Sequence, residues 1–464
     1  MGIDGATWVL IAPLVSKGAL PNFSRLVADG FTAVLDSTIP AISPAAWTSI
    51  FTGVNPGKHG IVDFYLREKG GFVSCMSRYR TCKTIWDILS ELGRRCIVIN
   101  DPVTFPPQKI NGIMTTGLLT PYDSNNWIYP ENLRNELDIV AQGYETDVPN
   151  NFQRVLNDKT AALGILANLA KKTLRLSKYT ATKVEWDVLA PIYTTTDRLQ
   201  HYYWHDPEAI LSHYQVIDRI LGEHLKLAQS VGADLIVVSD HGFGPINWTF
   251  PINEWLEQNQ LARVTRGGSL ISRFLAATHV MDVAAKIFGS YFGALPPRWQ
   301  DIVRKYVGSG GGSKGIPVDL GKSQAYAMSA AGIFVNDETL IPSITEKLLH
   351  VIHEDTGKKI FERIVPREEA MHGEYVSRAP HLFLIPNVGF VVETKRGQFN
   401  LNTGNHRPEG IFVHYRPGSR ASVGRGVVVK TWDVAATILS LQDVPIPTYF
   451  DGEPRLGEFT TATV

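Results

Sequence analysis

Five stretches carry side chains able to hold a metal or attack an electrophile. In residues 2–5, Gly-Ile-Asp-Gly, Asp4 beside a glycine offers a hard oxygen ligand, although an Asp-Gly turn would read the same way. Residues 43–53 read as a short helix with Ser43 as N-cap, Pro44 at the first helical position and Gly53 just past the end. Capping alone explains that serine. The same position also sets a hydroxyl at the positive end of a helix dipole, where a phosphoryl group or a metal-bound alkoxide is favoured. Asp197 and His201 stand four residues apart, so a carboxylate and an imidazole share one helix face and can converge on an ion. That pattern is also common without any ion. Asp240, His241 and Gly242 end an apolar, β-branched run, which argues for ligands rather than a casual surface turn. His406, in Gly-Asn-His-Arg-Pro-Glu-Gly at 404–410, is by itself an ordinary loop histidine.

Taken together, Asp4, Asp197, Asp240, His201, His241, His406 and Ser43 supply carboxylates, imidazoles and a hydroxyl. Such a set can hold two borderline divalent cations with open coordination positions, and two metals beside a serine suit phosphoryl transfer.

These groups need strand ends to carry them, because in open α/β sheets the working residues sit at the carboxyl ends of strands. Apolar runs at 96–100, 188–193, 234–239, 382–385 and 410–415 are continuous rather than alternating, as strands buried on both faces should be. Helical stripes lie between them. Residues 83–92 place Ile85, Ile88, Leu89 and Leu92 on one face before Gly93, and another stripe starts at Asp206 and Pro207 and continues through Ile210, Tyr214, Ile217 and Leu221. This alternation predicts an α/β fold, a doubly wound, largely parallel sheet flanked by helices, with inserted lid segments. The core is expected in residues 1–101, 185–249 and 372–464. Two insertions interrupt it: 102–184, with a helix-like stretch at 160–170, and 250–371, read as a lid with an amphipathic helix at 270–295 and a glycine run at 308–312. Few basic residues mark the 270–295 stripe, so it reads as packed on the core rather than lying on a membrane. Trp248, Tyr203 and Trp204 lie near the proposed ligands and either stack on a substrate base or pack internally.

The 464 residues exceed an ordinary single domain and assure a sizeable core. Lys plus Arg (45) balance Asp plus Glu (45), so bulk charge argues for neither a nucleic-acid groove nor an anionic membrane surface, and an anionic substrate must be held locally. Cys75, Cys82 and Cys96 lack the spacing of a zinc knuckle or a disulfide framework, which favours a reducing cytoplasm. No apolar run has the roughly 18 to 20 residues of a membrane span, and no basic-then-apolar leader opens the chain. Only Met1, Gly2 and Ile3 precede Asp4, whereas a central strand usually runs about five or six residues. The start is therefore expected to be short of its natural strand, with weaker metal binding at Asp4.

The ordered set of motifs resembles the type I phosphodiesterase/nucleotide pyrophosphatase branch of the alkaline phosphatase superfamily. The resemblance rests on residues 2–5, on Ser43 upstream of Thr-Gly-Val-Asn-Pro-Gly-Lys-His-Gly-Ile at 52–61, on Asp197 to His201, on Asp240-His241-Gly242, and on His406 before Glu409 and Gly410. It implies that Asp4, Ser43, Asp240 and His241 surround one metal while Asp197, His201 and His406 hold the other. Zinc is implied first and manganese second. It further implies that Ser43 attacks phosphorus in line, forms a covalent phospho-enzyme and is released by water.

The family's nucleophile is often threonine, where this chain has Ser43, and either hydroxyl serves. Nucleotide pyrophosphatases commonly carry an asparagine soon after the His-Gly-Ile segment, where this chain has Val62, Asp63 and Phe64, which turns the expectation away from nucleotides. Sulfatases share the fold but need an arginine four residues after the nucleophile, and Trp47 stands there. The expected substrate is a small phosphate ester, diester or nucleotide pyrophosphate before monoester. The alternatives are phosphoryl transfer like that of cofactor-independent phosphoglycerate mutases, or a phosphate-ester binding protein with weakened turnover.

Overall fold

The computed structural model describes residues 1–68, 71–263, 318–394, 399, 401–421 and 426–461. The amphipathic stripe at 270–295 and the glycine run at 308–312 lie outside the described residues. Among those described, nine strands form the central sheet. Their order is Val428–Lys430, Phe31–Asp36, Glu409–Tyr415, Leu235–Val238, Gly2–Ile3, Val188–Tyr193, Cys96–Asp101, Gly112–Thr116 and Ile128–Tyr129. Seven run one way, and only Glu409–Tyr415 and Ile128–Tyr129 run against them. The sheet is thus largely parallel. Leu235–Val238 and residues 96–99 are continuously apolar because helices cover both faces of the sheet.

On one face the helix Pro207–Val231 begins at Asp206, whose carboxylate accepts from Ala209 N–H at 2.9 Å, and ends at Gly232 in the left-handed region. Its Ile210, Tyr214, Ile217 and Leu221 stripe packs into the core under that face, as the spacing requires. The helix-like stretch at 160–170 belongs to a longer helix, Lys159–Lys183, on the same side. On the opposite face, helices Ser43–Thr52, Ile85–Glu91 and Asp433–Leu441 bury Trp47, Phe51, Trp86, Leu89, Val434 and Leu439. Ile85–Glu91 is slightly shorter than its stripe, because Thr84 and Asp87 form a reciprocal capping box at its start.

The run at 382–385 is a strand, Leu382–Pro386, but not of the central sheet. It lies in a four-stranded antiparallel sheet with Ala325–Ser329, Gly332–Val335 and Phe361–Pro366. The continuous apolar pattern reports burial on both faces, and a small sheet packed beneath Ile252, Leu256 and Ile344 gives the same signal. A third sheet links this unit to the core: Gly242–Pro251 leaves the central sheet directly after His241 and pairs with Gly389–Glu393 and Gly404–Arg407. No described helix is long and apolar enough to cross a membrane. Cys75, Cys82 and Cys96 are free thiols.

Candidate metal centre

Asp4 follows Gly2–Ile3 at the carboxyl end of the central sheet, with its neighbours Val188–Tyr193 and Leu235–Val238 delivering the Asp197 helix and Asp240 to the same edge. Gly5 makes the turn behind Asp4 at φ +68°, where a Cβ would sit 3.0 Å from the Phe243 ring. That turn lets Gly5 N–H donate to Asp240 Oδ1 at 3.1 Å. In the Thr195–Tyr203 helix, Asp197 lies in the first turn and His201 one turn on. His406 arrives from far along the chain because Gly404–Arg407 pairs antiparallel with Gly242–Pro251, with Phe243 opposite His406. All seven residues selected from the sequence meet in this one place.

Ser43 is the first helical residue of Ser43–Thr52, not its cap. Ile42, extended at φ −136°, ψ 146°, holds the cap position and Pro44 is the second helical residue. The Ser43 hydroxyl is therefore not engaged with its own helix. It lies 3.3 Å from His241 Nε2 and 3.5 Å from Asp4 Oδ1. The capping expectation fails by one residue, and the displacement frees the side chain that capping would have occupied.

His241 Nε2 lies 3.1 Å from Asp240 Oδ2 and 3.8 Å from Asp4 Oδ1, gathering one group of donors around Ser43. Asp240 Oδ2 is buried without a hydrogen bond. A second group forms from Asp197 Oδ1, 3.1 Å from His406 Nε2 and 3.4 Å from His201 Nε2, with the two histidine Nε2 atoms 3.1 Å apart. His241 also reaches toward the second group, its ring stacked 3.8 Å from that of His406, so the two donor sets share a wall.

Each imidazole is oriented from behind. His201 Nδ1 faces Gly404 O at 3.1 Å, His241 Nδ1 faces Gly242 O at 3.0 Å and His406 Nδ1 faces Ala41 O at 3.1 Å. These backbone contacts hold each ring by Nδ1 and turn its Nε2 inward, with Asn402 Nδ2 also 3.2 Å from His201 Nδ1. A cation between the Nε2 atoms of His201 and His406, 3.1 Å apart, would accept a lone pair from each. Backbone anchoring of this kind is how metal-binding imidazoles are held.

Charge points the same way. Burial, then the charges of Asp240 and Asp197, push the Asp4 carboxyl well above the usual range. Burial likewise pushes Asp240 up to about 7. Burial, with the neighbouring His406, drives His241 well below the normal imidazole range, so it is a neutral donor. Burial would also raise Asp197, but His201, His406 and Arg198 outweigh it and hold this carboxylate well below the usual range. Arg198 is shared, forming a two-pronged pair with Asp147 at 2.6 and 2.8 Å and reaching Asp197 Oδ2 at 3.2 Å. Ionising Asp4, Asp197 and Asp240 together would leave more buried negative charge than Arg198, already paired with Asp147, could offset. Divalent cations would offset it, and the donor set of carboxylate oxygens and imidazole nitrogens fits them.

Two supports were not visible in advance. Trp47 Nε1–H donates to Asp4 Oδ2 at 3.0 Å, and Thr196 Oγ donates to the Asp4 carbonyl at 2.5 Å. The signal for Trp47 is its spacing: four residues after Ser43, it shares that helix face. The nearby aromatics resolve as packing. Trp204 stacks on Phe243, Trp248 stacks on Phe390, and Tyr203 donates its hydroxyl to Leu156 O at 2.8 Å.

The centre opens into a cavity of about 460 Å³. Asp4, Ser43, Asp197, His201 and His406 form its floor, and Phe64, Leu118, Leu119, Met328, Phe383 and Phe390 contribute apolar walls.

A family model described as type I phosphodiesterase/nucleotide pyrophosphatase matches residues 1–409. No curated protein matches significantly in sequence. Among solved structures, phosphonoacetate hydrolase from Sinorhizobium meliloti 1021 in complex with phosphonoformate is similar, at 16% identity and a TM-score of 0.58, covering 95% of this chain and 94% of that one. Human ectonucleotide pyrophosphatase/phosphodiesterase 5 is similar at 12% identity and a TM-score of 0.57, covering 97% and 96%. These likenesses establish a shared fold, and the match over 1–409 establishes more: the chain belongs to the type I phosphodiesterase/nucleotide pyrophosphatase family.

Proposed function

We propose that this chain hydrolyses small phosphate esters through a covalent intermediate on Ser43, with two divalent cations as cofactors, zinc before manganese. Phosphoester hydrolysis is the chemistry of its family. Asp4, Asp240, His241 and the Ser43 hydroxyl would hold one cation, and Asp197, His201 and His406 the other. When bound, such ions supply positive charge that favours the ionised serine and the oxygens around phosphorus.

The observation that carries this reading is the inward convergence of three imidazole Nε2 atoms and three buried carboxylates on the mouth of one helix. His241 Nε2, 3.3 Å from Ser43 Oγ, is placed to accept the hydroxyl proton or to share a cation with it. The positive end of the Ser43–Thr52 helix faces the cavity and favours phosphate oxygens there. Because Ser43 spends no hydrogen bond on capping, its oxygen is available for in-line attack. The apolar walls leave room for a second ester group, which favours diesters over monoesters.

The test is a hydrolysis panel of aryl phosphate monoester, aryl phosphate diester and aryl sulfate, with zinc or manganese. Wild type is compared with Ser43→Ala. The expected result is metal-dependent cleavage of the diester above the other two, and a loss on the order of 10³-fold or more in Ser43→Ala. Full activity in Ser43→Ala would sink the nucleophile assignment. A metal-loaded wild type inert to all three would favour a binding role.

A further inference from the structure

The helix Thr195–Tyr203 carries more than Asp197 and His201. Thr194, the residue ahead of its first turn, and Arg198 stand four residues apart, and both line the cavity beside Asp197 and Ser43. Neither belongs to the groups that would hold a cation.

Arg198 is held as a rigid fork. Its Nε and Nη2 donate to Asp147 Oδ1 and Oδ2 at 2.8 and 2.6 Å, and its Nη1 donates to Asp197 Oδ2 at 3.2 Å. A guanidinium carries five N–H groups, so one on Nη1 and one on Nη2 remain without a partner among the described residues. Asp147, from the segment between the helices Arg134–Ala141 and Lys159–Lys183, fixes the plane of the fork. The cavity is also lined by Arg407, but that guanidinium spends Nη1 and Nη2 on the carbonyls of Pro386 and Asn387, at 2.9 and 3.0 Å.

Thr194 is 4% exposed, and its Oγ has no hydrogen-bond partner among the described residues. A threonine at this position ordinarily turns its oxygen back onto the N–H groups of the first turn, but Thr194 lies at φ −90°, ψ −6° and makes no such bond. A buried hydroxyl left unsatisfied costs free energy that a ligand oxygen would recover, and the positive end of the helix lies at the same place. Burial, Asp240 and Asp197 raise the Asp4 carboxyl, whereas the Trp47 hydrogen bond and the Arg198 charge oppose them. Arg198 thus acts across the space between Asp4 and Asp197, where a phosphoryl group attacked by Ser43 would lie.

We infer that Thr194 and Arg198 form a binding wall for the non-bridging oxygens of the substrate's phosphoryl group, with the Thr194 hydroxyl and the two spare Arg198 N–H groups as donors. The inference rests on the phosphoester reading above and adds to it two residues that hold no cation. Charged donors of this kind bind oxyanions strongly, and a planar fork also orients them. A diester keeps two non-bridging oxygens and one negative charge, whereas a monoester presents three oxygens and up to two charges. The wall serves both, and its loss costs the more highly charged group more.

Calorimetric titration of the metal-loaded Ser43→Ala protein with inorganic phosphate and with dimethyl phosphate reads the wall without turnover. Adding Arg198→Met is expected to weaken phosphate by about 30-fold and dimethyl phosphate by less, at unchanged metal content by elemental analysis. Thr194→Val removes a hydroxyl that bonds nothing in the described protein, so it is expected to weaken phosphate by about fivefold and leave the Tm unchanged. Where Arg198→Met fails to fold because Asp147 is left unpaired, Asp147→Asn is combined with it. Equal phosphate affinity with and without these substitutions would overturn the inference, as would absence of phosphate binding to the Ser43→Ala protein or a weakening that merely follows lost metal. Full activity in Ser43→Ala would sink the nucleophile assignment and leave this binding comparison standing.

Discussion

Trp47 donates its indole N–H to Asp4 Oδ2 at 3.0 Å from one turn after Ser43 on the same helix. This contact ties a carboxylate at the tip of the two-residue strand Gly2–Ile3 to the helix that carries the hydroxyl. Asp4 and Ser43 come from separate elements 39 residues apart, so their relative placement depends on such a cross-link. Trp47 is fully buried and stacked on Phe51, with ring centroids 6.0 Å apart.

Trp47→Phe keeps an aromatic ring in the core and deletes only the donor to Asp4. The expected outcome is a 10- to 100-fold loss in affinity for the metal that Asp4 would share, the usual cost of losing an outer partner of a ligand. Stability of the metal-free protein should also fall by about 1–3 kcal/mol, because a buried carboxylate oxygen loses its hydrogen bond. Calorimetric metal titration and denaturant unfolding of the chelated protein check the two effects separately.

Ser43→Ala separates the two roles first seen for this serine. A capping serine costs about 1 kcal/mol when replaced by alanine. Ser43 caps nothing, so the substitution should leave stability within about 0.5 kcal/mol of wild type while abolishing turnover. Thermal or urea unfolding beside the hydrolysis assay decides it, and a clear destabilisation would restore the capping role.

The difference between cap and nucleophile is one residue, and a sequence pattern does not resolve helix starts that finely. Ser-Pro followed by Gly53 locates the helix, but Ile42 takes the extended conformation that defines the cap. Parallel strands were legible because continuous apolar runs and capped helices alternate, as at Val188–Tyr193 and Pro207–Val231. The same apolar signal misassigned Leu382–Pro386, since burial on both faces does not say in which sheet a strand lies. Gly2–Ile3 is too short to show any pattern. The proposed ligand positions were legible as polar residues after strands. Their orientation was not, because the carbonyls of Gly404, Gly242 and Ala41 that face the ring Nδ1 atoms are backbone groups with no sequence signature.

Asp63 gives a pH dependence away from the proposed metal ligands. It is buried beside the cavity, accepts from Ser329 Oγ at 2.5 Å and Phe64 N at 2.6 Å, and burial raises its pKa from 3.8 to about 6 despite those bonds. A carboxyl whose folded pKa lies above its unfolded value binds its proton more tightly when folded. Its favourable contribution is therefore full below about pH 4 and is lost as pH rises through about 6. At about 1.4 kcal/mol per pKa unit, the loss amounts to at most about 3 kcal/mol. Asp63→Asn cannot titrate, so its stability relative to wild type should rise between pH 4 and pH 7. Urea unfolding of both proteins across that range checks the sign, and a flat difference would mean that Asp63 stays ionised throughout.

His201 distinguishes one cation from two. Its Nε2 belongs to the group with Asp197 and His406, at 3.4 and 3.1 Å. Removing it should cripple the second set and leave Asp4, Asp240 and His241 around the first. Wild type dialysed against zinc is expected to retain two ions per chain, and His201→Ala one, as read by elemental analysis. Each ion that binds only the folded chain stabilises it by about 2.7 kcal/mol when its free concentration is a hundred times Kd. A chelator should therefore lower the wild-type Tm in two increments and the His201→Ala Tm in one. Two retained ions in His201→Ala would show that His241, which reaches both groups, completes the second set without His201.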